Sequence, residues 1–175
     1  MVSDTVLVAY ASRFGSTRGI AERIGEVLGA AGLAVEVRAA DDVEAVDGYR
    51  AFVIGSTVEG GHWLKGASAL LERHAAALGS HPLWLFSSGP VGDRAAGAPQ
   101  PDPKEVAAAR RSLRPRDCRV FGGAFDRATS DFSEMGLVER TVVRKFLPDG
   151  DWRDWPAIEA WAAGIARELA SAPVR

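Results

Sequence analysis

Five apolar runs of strand length punctuate the chain: Thr5 to Tyr10, Ala34 to Arg38, Ala51 to Gly55, Pro82 to Ser87 and Arg119 to Ala124. Four are almost continuously apolar, as central strands covered on both faces must be. In the second, Val35 and Val37 alternate with Glu36 and Arg38, the pattern of an edge strand with one open face. Between the runs the period becomes helical. Ile20, Ile24, Val27 and Leu28 share one stripe, and Leu70, Leu71, His74 and Leu78 share another. Val43 to Asp47 reads as one irregular helical turn. After a long loop from Gly89 to Pro103, Lys104 to Leu113 reads as a helix stopped ahead of Pro115. The last helix starts near Asp154, Trp155 and Pro156, with an acidic cap and a first-turn proline. It repeats Ile158, Trp161, Ala162, Ile165 and Leu169.

Strand and helix therefore alternate, which predicts an α/β three-layer sandwich: a five-stranded parallel sheet with helices on both faces, joined by right-handed crossovers. Five strands favour the order 2-1-3-4-5 over a six-stranded dinucleotide fold. With 175 residues the chain is expected to form a single domain. One segment breaks the rhythm. Asp126 to Arg153 stands where a parallel unit ordinarily has a loop of about 2 to 6 residues. Within it Phe132, Met135, Val138 or Glu139, Val142 and Phe146 fall at helical spacing, with Arg140, Arg144 and Lys145 on other faces. Such a helix either covers the ligand edge and meets a partner or a membrane surface, or simply packs on the sheet.

Composition changes this picture little, but charge and cysteine usage narrow the function. A net charge of -2 supplies no basic field for nucleic acid. The single cysteine, Cys118, has no partner for an internal disulfide and reads as a small buried hydrophobe, which suits a reducing cytoplasm. The amino terminus carries no basic leader, and its apolar run ends at Tyr10, so neither export nor membrane insertion is expected. One Cys and three scattered His offer no metal-ligand spacing, and no nucleophile elbow is present.

In a doubly wound sheet a ligand sits beyond the carboxyl ends of the strands, where the strand order reverses. Three loops reach that point. The first, Ser12, Arg13, Phe14, Gly15, Ser16 and Thr17, runs straight from a strand into a helix. Its hydroxyls and the amides freed at the helix start would hold a terminal monophosphate; the alternative is an ordinary capped helix. Neither a dinucleotide glycine pattern nor an NTP-binding loop is present. The second loop, Ser56, Thr57, Val58, Glu59, Gly60, Gly61, His62 and Trp63, sets two glycines beside two aromatic rings. The glycines let a flat heterocycle approach the main chain, and His62 or Trp63 either stacks on it or, for Trp63, plugs the next helix onto the sheet. The third, Ser87, Ser88, Gly89, Pro90, Val91, Gly92 and Asp93, offers hydroxyls to the far edge of the same heterocycle, or is a plain turn. His74, on an apolar helix face, reads as a boundary histidine. No catalytic residue is assigned.

The loop ending Gly15, Ser16 and Thr17 resembles a known family, as do the run Val53 to Ser56 with Gly61 and His62 after it, and the tail at Asp154 and Trp155. That family is the menaquinone-dependent protoporphyrinogen oxidases, flavodoxin-like FMN enzymes of haem biosynthesis. The likeness extends over nearly the whole chain, including the helix from Leu70 to His74 and the strand from Cys118 to Ala124. It implies FMN held at its phosphate by the first loop and at its ring by the other two. It also implies electrons moving from a reduced small-molecule substrate, a porphyrinogen, to a quinone, in a cytoplasmic protein peripheral to the membrane. The chain departs from the family at two places. Phe14 replaces a hydroxyl that many flavodoxins carry, and the insertion contains Asp131, Glu134 and Glu139 where the oxidases are strongly basic. The alternative function is a flavodoxin-type electron carrier docking on redox proteins; a flavin-free interaction module is a third reading.

Overall fold

A computed structural model describes residues 4–92, 100–133 and 135–171; Asp93 and Glu134, named above, lie outside them. The chain opens with β1 (Thr5–Ala11), α1 (Ser16–Ala30) and β2 (Ala34–Ala39). A 3-10 turn at Ala40–Asp42 follows, slightly ahead of the turn expected at Val43 to Asp47. Then come β3 (Ala51–Glu59), β4 (His62–Trp63), α2 (Lys65–Arg73), α3 (Ala75–Ser80), β5 (Leu83–Ser88), α4 (Lys104–Ser112) and β6 (Asp117–Phe121). The sheet order is β2-β1-β3-β5-β6, with every pair along that path parallel. Counting parallel strands only, this is the expected order; β4 is an additional antiparallel sixth strand folded back on β3.

Alternation along each strand sorts the core onto two faces. Leu7, Ala9, Phe52, Ile54 and Leu85 face α2, α3 and α4. Val6, Val8, Val53, Trp84 and Phe86 face α1 and the last helix, α6 (Trp155–Ser171). Asp154 caps α6: its Oδ1 accepts the Ala157 N–H at 3.0 Å.

Two local expectations are corrected. The stripe from Leu70 to Leu78 spans two helices, broken at His74, whose φ of -112° caps one and opens the other. The fifth parallel strand is Asp117–Phe121 rather than Arg119 to Ala124: past Phe121 the main chain crosses close to Trp152, Gly123 N–H donates to the Pro90 carbonyl at 3.0 Å, and Trp152 N–H donates to the Gly123 carbonyl at 2.9 Å. Past that crossing, β7 (Ala124–Phe125) pairs antiparallel with β8 (Gly150–Asp151), forming a ribbon off the main sheet. Between these arms lies α5 (Leu137–Phe146), the helix expected in the insertion. It does not pack on the sheet. None of its residues is buried, and Leu137, Val138 and Phe146 are 74%, 80% and 70% exposed.

Candidate functional site

A cleft of about 630 Å³ opens at the carboxyl ends of β1, β3 and β5, at the switch point between β1 and β3. All three loops contribute to it, Arg13, Phe14 and Ser16 coming from the first. Gly15 takes φ +84°, a left-handed conformation open to glycine, and this lets the chain turn directly from β1 into α1. No side chain caps that helix, so its first-turn amides face the cleft end with no helical partner.

The hydroxyls divide into two groups. Thr17 is fully buried and its Oγ1 lies 2.8 Å from Thr57 Oγ1, while the Arg13 N–H donates to the same Thr57 oxygen at 3.3 Å. Ser16 Oγ accepts the Ala124 N–H at 2.8 Å and stands 3.3 Å from Ser88 Oγ. These two side chains tie the loops together. Ser12 Oγ, by contrast, is buried without a partner, and the buried Arg13 Nε makes no hydrogen bond, only an ion-pair contact with Glu59 Oε1 at 3.4 Å. A buried polar atom left unmatched costs free energy that an anionic ligand would recover.

In the second loop, Gly60 and Gly61 have φ of +56° and +81°, the pair of positive values that a tight hairpin turn requires. Thr57, Val58, Glu59, Gly60 and Gly61 line the cleft. The two aromatic candidates do not. Trp63 is 4% exposed within the core, and its Nε1–H donates to Ser87 Oγ at 2.9 Å, so its ring seals the hairpin to the sheet and is not available for stacking. His62 is half-exposed, with Nδ1 3.0 Å from Glu105 Oε1. Ser56 is buried and bonded locally: it accepts the Leu64 N–H at 2.9 Å and donates to the Thr57 carbonyl at 2.8 Å. Glu105 also accepts the Trp63 N–H at 2.9 Å. Burial would raise its pKa, but the Trp63 and His62 hydrogen bonds outweigh that and hold the carboxyl below its usual range.

In the third loop Ser87, Ser88, Gly89, Pro90 and Val91 line the cleft, and Gly92 packs toward Pro148 instead. His74 has a buried Nε2 without a partner and stands away from the cleft lining. Cys118 is half-buried, and burial pushes its thiol pKa up to about 11.

The far wall was identified only in part in the sequence, through Met135 and Glu139. Phe125, Met135, Glu139, Val143 and Leu147 form it, and Pro101 and Pro103 add to the rim. Of the stripe expected in the insertion, Met135 and Glu139 line the cleft and Phe132 is buried, whereas Val138, Val142 and Phe146 are exposed; Glu139 shares its helical face with Val143 and Leu147. Phe14 has an unexpected role. Its ring meets Phe125 at 5.2 Å and Phe132 at 5.7 Å between centroids, anchoring the insertion on the phosphate-side loop. Among the described residues no group of three His, Cys, Asp or Glu is placed to hold a metal ion, and no helix is long and apolar enough to cross a membrane.

An open parallel sheet with an uncapped helix, unmatched buried polar atoms and a cleft at the switch point defines the class of nucleotide-cofactor binding α/β domains. A family model described as flavodoxin domain matches residues 7–148, and the chain belongs to that family. A comparison with curated proteins finds none that matches. Among solved structures, the fold is similar to the rubredoxin oxygen:oxidoreductase of Desulfovibrio gigas, with TM-score 0.64 and 15% identity, covering 97% of this chain and 37% of that one. The chain thus spans little more than a third of that oxidoreductase. It is also similar to a flavodoxin from the domain Archaea, with TM-score 0.62, 17% identity, and 95% and 99% of the two chains covered. A mutant flavodoxin from Pseudomonas aeruginosa gives TM-score 0.61 at 16% identity over the same shares.

Flavodoxin domains hold FMN, so FMN is the cofactor and the chain is a flavin-binding redox protein. The residues present fit it. Arg13 and the first-turn amides of α1 would receive the phosphate, and the backbone of Thr57 to Gly61 and of Ser88 to Val91 would stand beside the ring; Ser12, Gly15 and Thr17 lie outside the cleft lining, Ser12 with its buried Oγ unpartnered.

Proposed function

We propose that the chain is an FMN-dependent oxidoreductase, close to the menaquinone-dependent protoporphyrinogen oxidases, that draws electrons from a flat reduced substrate of the porphyrinogen class and delivers them to a quinone. The observation that carries this reading is the second wall of the cleft, where Met135, Val143 and Leu147 present apolar side chains opposite the flavin loops. FMN supplies the redox chemistry when bound, and the protein's part is positioning and exclusion of water. Phe14, Phe125 and Phe132 hold the insertion against the first loop, so the wall stands beside the phosphate cradle.

The outer face of α5 supports peripheral contact with the membrane where a quinone resides, because Leu137, Val138 and Phe146 are exposed beside Arg140, Arg144 and Lys145. Anaerobic mixing of the FMN-loaded protein with protoporphyrinogen and a menaquinone analogue tests the reading, with sustained porphyrin formation expected. The similarity to flavodoxins along 99% of their length favours a second reading, an electron carrier for redox proteins. That reading would gain if a reduced redox partner reduced the flavin while porphyrinogen gave no turnover.

A further inference from the structure

Arg13 belongs to the phosphate-side loop, yet its charge is spent on the opposite wall. Nη2 donates to Glu139 Oε1 on α5 at 2.5 Å. Nε lies 3.4 Å from Glu59 Oε1 without hydrogen-bond alignment and is otherwise unpartnered. Among the described residues this is the one side-chain hydrogen bond or ion pair that joins α5 to the loops of the parallel sheet. Beyond it, α5 is tied by Arg144, whose guanidinium lies 5.2 Å from the centroid of the Phe132 ring, and no residue of the helix is buried.

We propose that Arg13 is a latch shared between the cofactor phosphate and Glu139: the phosphate takes the guanidinium, Glu139 is released, and α5 loosens from the cleft. The inference rests on the FMN assignment. A single contact between groups 31% and 52% exposed is a weak ion pair. A phosphate dianion carries about twice the charge of a carboxylate and offers several oxygens to the planar guanidinium fork, so it competes well for the same donors. Once the dianion is seated, Glu59 and Glu139 face a like charge across the cleft, which favours outward movement of the helix that carries Glu139. Cofactor loading and helix position are therefore coupled, and the coupling is reciprocal.

Riboflavin, which has the same ring and no phosphate, isolates the effect. Affinities for FMN and riboflavin are measured by quenching of flavin fluorescence in the wild-type protein and in Glu139→Gln, and amide hydrogen exchange over α5 is followed with each ligand saturating. The variant, having lost the competitor, should bind FMN about 1.5- to 5-fold more tightly and riboflavin unchanged. In the wild type, α5 amides should exchange faster with FMN than with riboflavin, and in the variant the two should coincide. Equal exchange with both ligands in the wild type, which needs no variant to fold, would overturn the latch and leave Arg13 a fixed brace; so would weaker FMN binding by Glu139→Gln. Binding of neither flavin would overturn the cofactor assignment and the latch together.

Discussion

Two short helices, α4 following the cleft residue Pro103 and α5 on the far wall, have similar design and opposite fate. Both α4, with nine residues, and α5, with ten, carry a glutamate in the first turn and basic residues in the last. On α4, Val106 and Ala109 are buried, and Glu105 clips the β3–β4 hairpin through Trp63 and His62. On α5 nothing is buried, and Glu139 holds one partly exposed arginine. The cause is what lies between the flanking strands. A crossover from β5 to parallel β6 must lay its helix on the sheet, whereas β7 and β8 form a separate ribbon with no sheet face beneath α5. An amphipathic period announces an apolar face without saying what meets it.

The sharpest way to break the comparison is to put the same charge on both helices. Val106→Asp buries an unpaired carboxylate in the core and should destabilise the protein by about 3 to 5 kcal/mol in urea unfolding, or prevent folding. A loss below about 1 kcal/mol would mean that α4 is as loosely held as α5.

Much of this difference was hidden in the sequence for identifiable reasons. The parallel strands and their order were legible because buried strands must be continuously apolar, and the phosphate-side loop because it joins a strand directly to a helix. Trp63 was ambiguous, since a tryptophan beside glycines serves a ring site or a core equally well; only the Ser87 hydroxyl placed opposite Nε1 decides for the core. Phe14 looked like a lost hydroxyl, and its partners Phe125 and Phe132 lie more than a hundred residues away. The face formed by Glu139, Val143 and Leu147 was masked by the stronger stripe on the outer side of the same helix.

The next largest effect falls on the cofactor and separates the loop side of the cleft from the helix side. Ser12→Ala removes a buried hydroxyl that has no protein partner, so stability should hold while FMN binding weakens by about 1.5 to 3 kcal/mol, roughly 10- to 150-fold. Thr17→Ala should do the reverse, costing about 1 kcal/mol of stability through the lost bond to Thr57. Fluorescence titration and urea unfolding distinguish the two, and equal effects from both would reassign the phosphate contact.

Glu105→Gln tests the clip on the α4 side. Because the folded carboxyl sits below its usual range, its contribution is complete above the unfolded pKa of about 4.3 and is lost as pH falls through the lower folded value. The variant should lose about 1 to 2 kcal/mol at neutral pH and show a shallower fall in stability toward about pH 3 than the wild type. Parallel pH profiles would show that the Trp63 and His62 bonds to Glu105 contribute nothing through its charge.

The smallest expected effect is the companion to the first. Val142→Asp places a carboxylate on the exposed side of α5, where Val142 is 49% accessible, so unfolding free energy should move by no more than about 0.5 kcal/mol. FMN affinity should be unchanged as well, since Val142 points away from the cleft face of Glu139, Val143 and Leu147. What should change is attachment to anionic lipid vesicles in sedimentation. Arg140, Arg144 and Lys145 each contribute about 1 kcal/mol near such a surface, and a carboxylate among Val138, Val142 and Phe146 offsets one of them while removing apolar contact. A loss of stability comparable to that of Val106→Asp would show that α5 rests on the body after all. Unaltered vesicle binding with unaltered stability would leave the exposed stripe without a role at the membrane.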